Sequence, residues 1–166
     1  MSRMQEMTQA AQRAATALQD CDWQLVTAES CTGGLIGAVC TELSGSSAWF
    51  FGGVISYANE AKENALSVQH STLESEGAVS AQTVKEMCAG ALLLGGDMAV
   101  AVSGVAGPTG GSKEKPVGCV YIAWKIRDQD AEAVRFQFSG DRQSVREATV
   151  IAALEGVVER ILQQEK

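Results

Sequence analysis

Apolar positions in the first twenty residues recur with a helical period. Met4, Met7, Ala11, Ala14, Ala15 and Leu18 fall on one face, which predicts an amphipathic helix over 4–19. The apolar run around Leu25 and Val26 predicts a short strand over 24–28, and Leu35-Ile36-Gly37-Ala38-Val39-Cys40 a helix over 33–43. That helix ends in the loop Ser44-Gly45-Ser46-Ser47. Trp49 to Tyr57 reads as a second strand whose Gly52-Gly53 pair marks a bulge or a close backbone approach. Asn59 is placed to cap a short helix over 60–66, and a polar loop with one helical turn near 73–76 follows. Ser80 caps a helix over 81–95, and Met98 to Ser103 is a buried-type strand. A glycine-rich stretch, 104–118, leads into strands over 117–125 and 133–139, and Asp141 caps a final helix over 142–164.

Strands alternating with helices argue for parallel pairing, and the late hairpin adds an antiparallel strand. The expected architecture is α/β: a three-layer α/β/α sandwich around a mixed, mostly parallel sheet of about five strands. Residues 1–166 show no internal repeat, linker or low-complexity segment, so one domain is expected.

Composition narrows the classes of partner. The net charge is −7 without a block of one sign, so a nucleic-acid partner is not expected. Apolar runs are too short to span a bilayer, and the N-terminus lacks the apolar core of a signal peptide, which together predict a cytoplasmic protein and no membrane partner. The five cysteines show no C-x-x-C spacing and read as free thiols, and with His70 the only histidine no metal site is expected. Exposed apolar faces on the first and last helices suggest a homo-oligomer.

The chemistry gathers where strands end or helices begin: Glu29-Ser30-Cys31-Thr32, Ser56-Tyr57, Ser103-Gly104 and Gly140-Asp141-Arg142. In open α/β sheets ligands bind at the carboxyl ends of strands. Ser30 is either the N-cap of the following helix or a nucleophile, and Cys31 beside it is the second nucleophile candidate. A serine nucleophile needs a base. Lys62, in the first turn of a helix, is either an ordinary surface lysine or an amine whose pKa is lowered by the helix dipole and burial. Tyr57 could hydrogen-bond that amine or simply pack. Backbone N–H groups around Thr32-Gly33-Gly34 or at Ser103-Gly104 could hold an oxyanion, and Arg142 could fork onto a phosphate. Gly33-Gly34 forms neither a Walker nor a Rossmann fingerprint.

Taken together, Thr-Ala-Glu-Ser-Cys-Thr-Gly-Gly at 27–34, Gly-Ser-Ser-Ala-Trp-Phe at 45–50 and Gly-Gly-Val-Ile-Ser-Tyr-Ala-Asn-Glu-Ala-Lys at 52–62 form a specific set. Gly-Ala-Val-Ser at 77–80, Val-Ser-Gly-Val-Ala-Gly-Pro-Thr-Gly-Gly at 102–111, Glu-Lys-Pro-Val-Gly at 114–118 and Gly-Asp-Arg at 140–142 extend it over nearly the whole chain. The sequence resembles the C-terminal domain of the CinA (competence/damage-inducible) proteins. That family includes amidohydrolases that convert nicotinamide mononucleotide (NMN) to nicotinic acid mononucleotide and ammonia in pyridine nucleotide salvage. The resemblance implies a Ser/Lys mechanism without metal or cofactor, with Ser30 as nucleophile, Lys62 as base and Tyr57 beside them. It also implies NMN as the small-molecule partner. Ser47 is a second serine that could lie in the site, and Ser103 keeps a hydroxyl where many members carry threonine. Thr109 stands where many members have glycine or aspartate. A non-catalytic nucleotide-binding module of the same fold is the competing expectation.

Overall fold

The computed structural model describes residues 1–165. Helix α1 (Arg3–Asp20) starts at a reciprocal cap, in which Ser2 Oγ accepts from Gln5 N and the Gln5 side chain accepts from Ser2 N. Strand β1 (Leu25–Glu29) leads to α2 (Leu35–Thr41), a short 3-10 turn (Ser46–Ala48) and β2 (Phe50–Ile55). Three helices follow, α3 (Asn59–Leu66), α4 (His70–Glu76) and α5 (Ala81–Leu92). The chain ends as β3 (Met98–Gly104), β4 (Cys119–Ile126), β5 (Glu132–Gln137) and α6 (Arg142–Gln164).

The strands form one sheet in the order β2-β1-β3-β4-β5. β1 pairs in parallel with β2 and β3, while β4 pairs antiparallel to β3 and β5, so β4 alone runs against the other four. Helices cover both faces. Alternation along β3 sorts the two cores: Met98, Val100 and Val102 meet α1, α2 and α6, whereas Ala99 and Ala101 meet α5. Small residues on the second face let α5 lie close to the sheet.

Two local expectations change. Asn59 is the first residue of α3 and Ala58 its N-cap, because Lys62 N donates to Ala58 O and the chain stays extended through that residue. The polar loop after α3 contains a full helix, α4, whose start is held by a carboxylate from another element: Glu86 on α5 accepts from Gln69 N and from the Thr72 hydroxyl. In β2 the register against β1 shifts between Leu25 and Val26, and Phe51 there is exposed and lies against Gly95. Asp141 and Ser80 cap α6 and α5 through their side chains, accepting from Ser144 N and Thr83 N.

Candidate active site

Parallel pairing brings the carboxyl ends of β2, β1 and β3 side by side. Glu29 pairs with Ile55 on one side and Val102 on the other, so the residues just beyond them, Ser30, Ser56 and Ser103, are neighbours at one edge. Hydrogen bonds pin this edge: Ser30 N donates to Val102 O, and both Ser56 N and Ser56 Oγ donate to Glu29 O.

Lys62 reaches this edge from α3. It is 1% exposed, and its Nζ lies 2.9 Å from Ser30 Oγ, 2.8 Å from Ser56 O and 3.0 Å from Tyr57 O. Among the described residues no carboxylate pairs with it. Burial pulls its pKa down from 10.5 to about 8, since a desolvated ammonium loses more than a desolvated amine; the Cys31 side chain acts weakly in the opposite sense. The three acceptors match both protonation states. As an ammonium, Nζ donates to all three oxygens. As an amine, its two N–H groups serve the Ser56 and Tyr57 carbonyls, and its lone pair is left to accept the Ser30 hydroxyl proton.

The turn after Ser30 is organised by a residue to which the sequence reading assigned no role. Glu29, 2% exposed, accepts from the Thr32 hydroxyl at 2.5 Å and from the N–H groups of Gly34, Ile36 and Gly37 at 3.2, 2.9 and 3.1 Å. It therefore does the capping of α2 that Ser30 was a candidate for, and this leaves the Ser30 side chain free to meet Lys62. Gly33 and Gly34 have positive φ, at +59° and +103°, which a turn this tight requires.

Their N–H groups are not available to an oxyanion. Gly33 N donates to Ser30 O, and Gly34 N to Glu29. Among the described residues, the N–H groups of Cys31 and Thr32 donate to no protein acceptor, so of the expected turn donors Thr32 N–H is the free one, and Cys31 N–H joins it. Gly104 is a glycine for packing: a Cβ there would sit 2.5 Å from a Val120 methyl and 2.8 Å from Cys119 O. Ser103 is buried at the end of β3.

The side chain of Tyr57 turns away from the amine. Its backbone carbonyl holds Lys62, while its hydroxyl accepts from Arg142 Nη2 at 3.2 Å. Arg142 also donates through Nη1 to Gly107 O at 2.7 Å, which joins the start of α6 to the glycine-rich loop and to the β2 end. Lys115 Nζ donating to Glu76 O and Arg135 donating to Glu114 O tie down the far part of that loop. Arg146, absent from the sequence reading, donates from Nε to Cys31 O and from Nη2 to Thr32 O.

Two expected members lie elsewhere or differ in state. Ser47 precedes β2, so it sits at the opposite end of the sheet from Ser30, exposed, its carbonyl accepting from Gln24. Cys31 is buried, which pushes its thiol up to about 11 and away from thiolate chemistry near neutrality. His70 is exposed on α4, its ring nitrogens facing Glu63 and Glu74 rather than Ser30 or Lys62. Among the described residues no group of three or more His, Cys, Asp or Glu could hold a metal ion, and no helix is long and apolar enough to cross a membrane.

A strand-end serine within hydrogen-bond reach of an uncompensated buried lysine, beside two free backbone N–H groups, defines a site able to run serine-based acyl transfer. Residues 7–161 match the model of the CinA C-terminal domain family, and the chain belongs to that family. Among its relatives, a nicotinamide-nucleotide amidohydrolase of Enterobacter agglomerans is 49% identical over 140 residues, covering 84% of this chain and 85% of that protein. The nicotinamide-nucleotide amidohydrolase of Escherichia coli strain K12 is 43% identical over 159 residues, covering 95% of this chain and 96% of that one. The crystal structure of the competence/damage inducible protein CihA from Agrobacterium tumefaciens superposes with a TM-score of 0.89 at 42% identity, covering 93% of this chain and 94% of that one.

Proposed function

We propose that this chain hydrolyses the carboxamide of NMN to a carboxylate, releasing ammonia, with Ser30 as nucleophile and Lys62 as general base and acid. Neutral Lys62 takes the Ser30 proton as Oγ attacks the carboxamide carbon. The carbonyl oxygen becomes an oxyanion at the Cys31 and Thr32 N–H groups. The Lys62 ammonium returns its proton to the departing nitrogen, which leaves as ammonia, and the acyl group stays on Ser30. Water then loses a proton to Lys62 as it attacks the acyl carbon, and Ser30 recovers that proton as it leaves. Arg142 and the 104–116 loop hold the phosphate and ribose.

The observation that carries this reading is the 2.9 Å contact between Lys62 Nζ and Ser30 Oγ, made by an amine held by two carbonyls and, among the described residues, paired with no carboxylate. The names of two relatives, both nicotinamide-nucleotide amidohydrolases, support NMN as the substrate. The test is ammonia release from NMN, with nicotinamide and glutamine as controls, by the wild type and Ser30→Ala. The wild type is expected to turn over NMN alone, and the variant none of the three. A folded wild type that binds NMN without releasing ammonia would instead mark a non-catalytic nucleotide-binding module.

A further inference from the structure

The turn 30–34 is gripped from two sides by opposite charges. Glu29 takes the N–H groups at the start of α2, and Arg146, one turn into α6, takes the carbonyls of Cys31 and Thr32 at 3.1 and 2.8 Å. A trans peptide is planar, with its C=O and N–H pointing opposite ways. The peptide that joins Cys31 to Thr32 thus has its carbonyl drawn to Arg146 and its N–H aimed away from it. That N–H is one of the two with no protein acceptor. The preceding peptide is set in the same manner: Ser30 O accepts from Gly33 N, which turns the Cys31 N–H outward. Among the described residues no carboxylate pairs with Arg146, so the only partners for its guanidinium are the two turn carbonyls. A cation on the carbonyl also polarises the peptide and strengthens its N–H as a donor.

We propose that Arg146 is a positioning residue, which aims and polarises the Thr32 N–H at the oxyanion formed when Ser30 attacks the substrate. This rests on the amidohydrolase reading above. The carbonyl oxygen of the bound amide gains its charge only in the transition state, so the contribution appears in kcat and not in substrate binding. A role confined to tying α6 onto the turn would instead show as lost stability, with whatever activity remains scaling with the folded fraction.

The experiment measures ammonia release from NMN by the wild type, Ser30→Ala, Arg146→Lys and Arg146→Met, with melting temperature read on each. Arg146→Met is expected to lower kcat about 100-fold, the size of one lost oxyanion donor, with KM held within about threefold. Arg146→Lys keeps the charge but serves one carbonyl at a time, and is expected to fall between, about tenfold down, with an unchanged melting temperature. If Arg146→Met does not fold, Arg146→Lys alone decides the matter. A wild-type kcat in Arg146→Lys, or a loss expressed wholly in KM, overturns the proposal. A wild type that releases no ammonia overturns the amidohydrolase reading and this proposal with it. An active wild type, an inactive Ser30→Ala and undiminished Arg146 variants overturn this proposal alone.

Discussion

Lys62 lies at the carboxyl edge of the sheet with its amine among two carbonyls and an alcohol, 1% exposed. Arg160 lies on α6 over the start of β5, 8% exposed, with Glu132 at 2.8 Å, Glu159 at 3.2 Å and the Trp124 ring 3.8 Å from its Cζ. Both are cations that the fold has taken out of water. Arg160 is given two carboxylates and an aromatic face, which keep a permanent charge tolerable in the interior. Among the described residues Lys62 Nζ meets only neutral oxygens, which suit an amine as well as an ammonium and leave burial to decide between them. A buried cation with carboxylates is part of the scaffold. One without them is poised to lose its proton, and its position next to Ser30 gives that proton transfer a use.

The largest effect that would break this contrast is chemical. Ser30→Ala and Lys62→Met are each expected to lower ammonia release from NMN by at least about 1,000-fold in a folded protein, the range set by losing a nucleophile or its base. Arg160→Leu is expected to do the reverse: it leaves kcat within about twofold and lowers stability by about 1–2 kcal/mol through the lost stacking and stem packing, read by denaturant unfolding. An Arg160 variant that is stable but inactive would show that the two cations are not separable in this way.

Next in size is the clamp beneath the nucleophile. Glu29→Gln exchanges an all-acceptor carboxylate for a group that presents an NH2 to three backbone N–H groups. It is expected to cost about 2–3 kcal/mol of stability by the same measurement, and kcat as well.

The pH dependence follows from Lys62. Activity requires the amine, so kcat/KM is expected to rise with pH and level off above about 8, the pKa to which burial lowers Lys62. Stability has its own sign. The folded pKa of about 8 lies below the ordinary 10.5, so between these values the unfolded chain binds more protons, and stability increases with pH across that window. Lys62→Met removes this slope. The smallest effect is Ser47→Ala, which is expected to keep activity within about twofold, since an exposed serine at the far end of the sheet lies about 20 Å from the site by strand length.

Much of this architecture is legible before any coordinates. The alternation of β3 and the caps at Ser80 and Asp141 depend on local pattern, and local pattern is what a sequence displays directly. Of α4 only the turn near 73–76 is legible, because the carboxylate that holds its start, Glu86, belongs to another element and leaves no local signal. At the site, Ser30 and Lys62 could be singled out by residue type and by the family resemblance, but their contact depends on β2 lying next to β1, a fact of strand order. The residue type of Tyr57 points to its side chain, whereas its carbonyl makes the contact with Lys62, and backbone groups leave no residue-type signature. Arg146 did leave one. It stands four residues after Arg142 on the same helix face, so a reading that placed Arg142 at the site could have followed the face one turn further.

The most direct test of the central claim is a pH titration of Lys62 itself, followed through the chemical shift of its ε-carbon. A midpoint near 8 is expected in the wild type, where burial among neutral oxygens places it. A midpoint near the ordinary 10.5 would mean that the amine beside Ser30 stays protonated at working pH, and would contradict its role as the base.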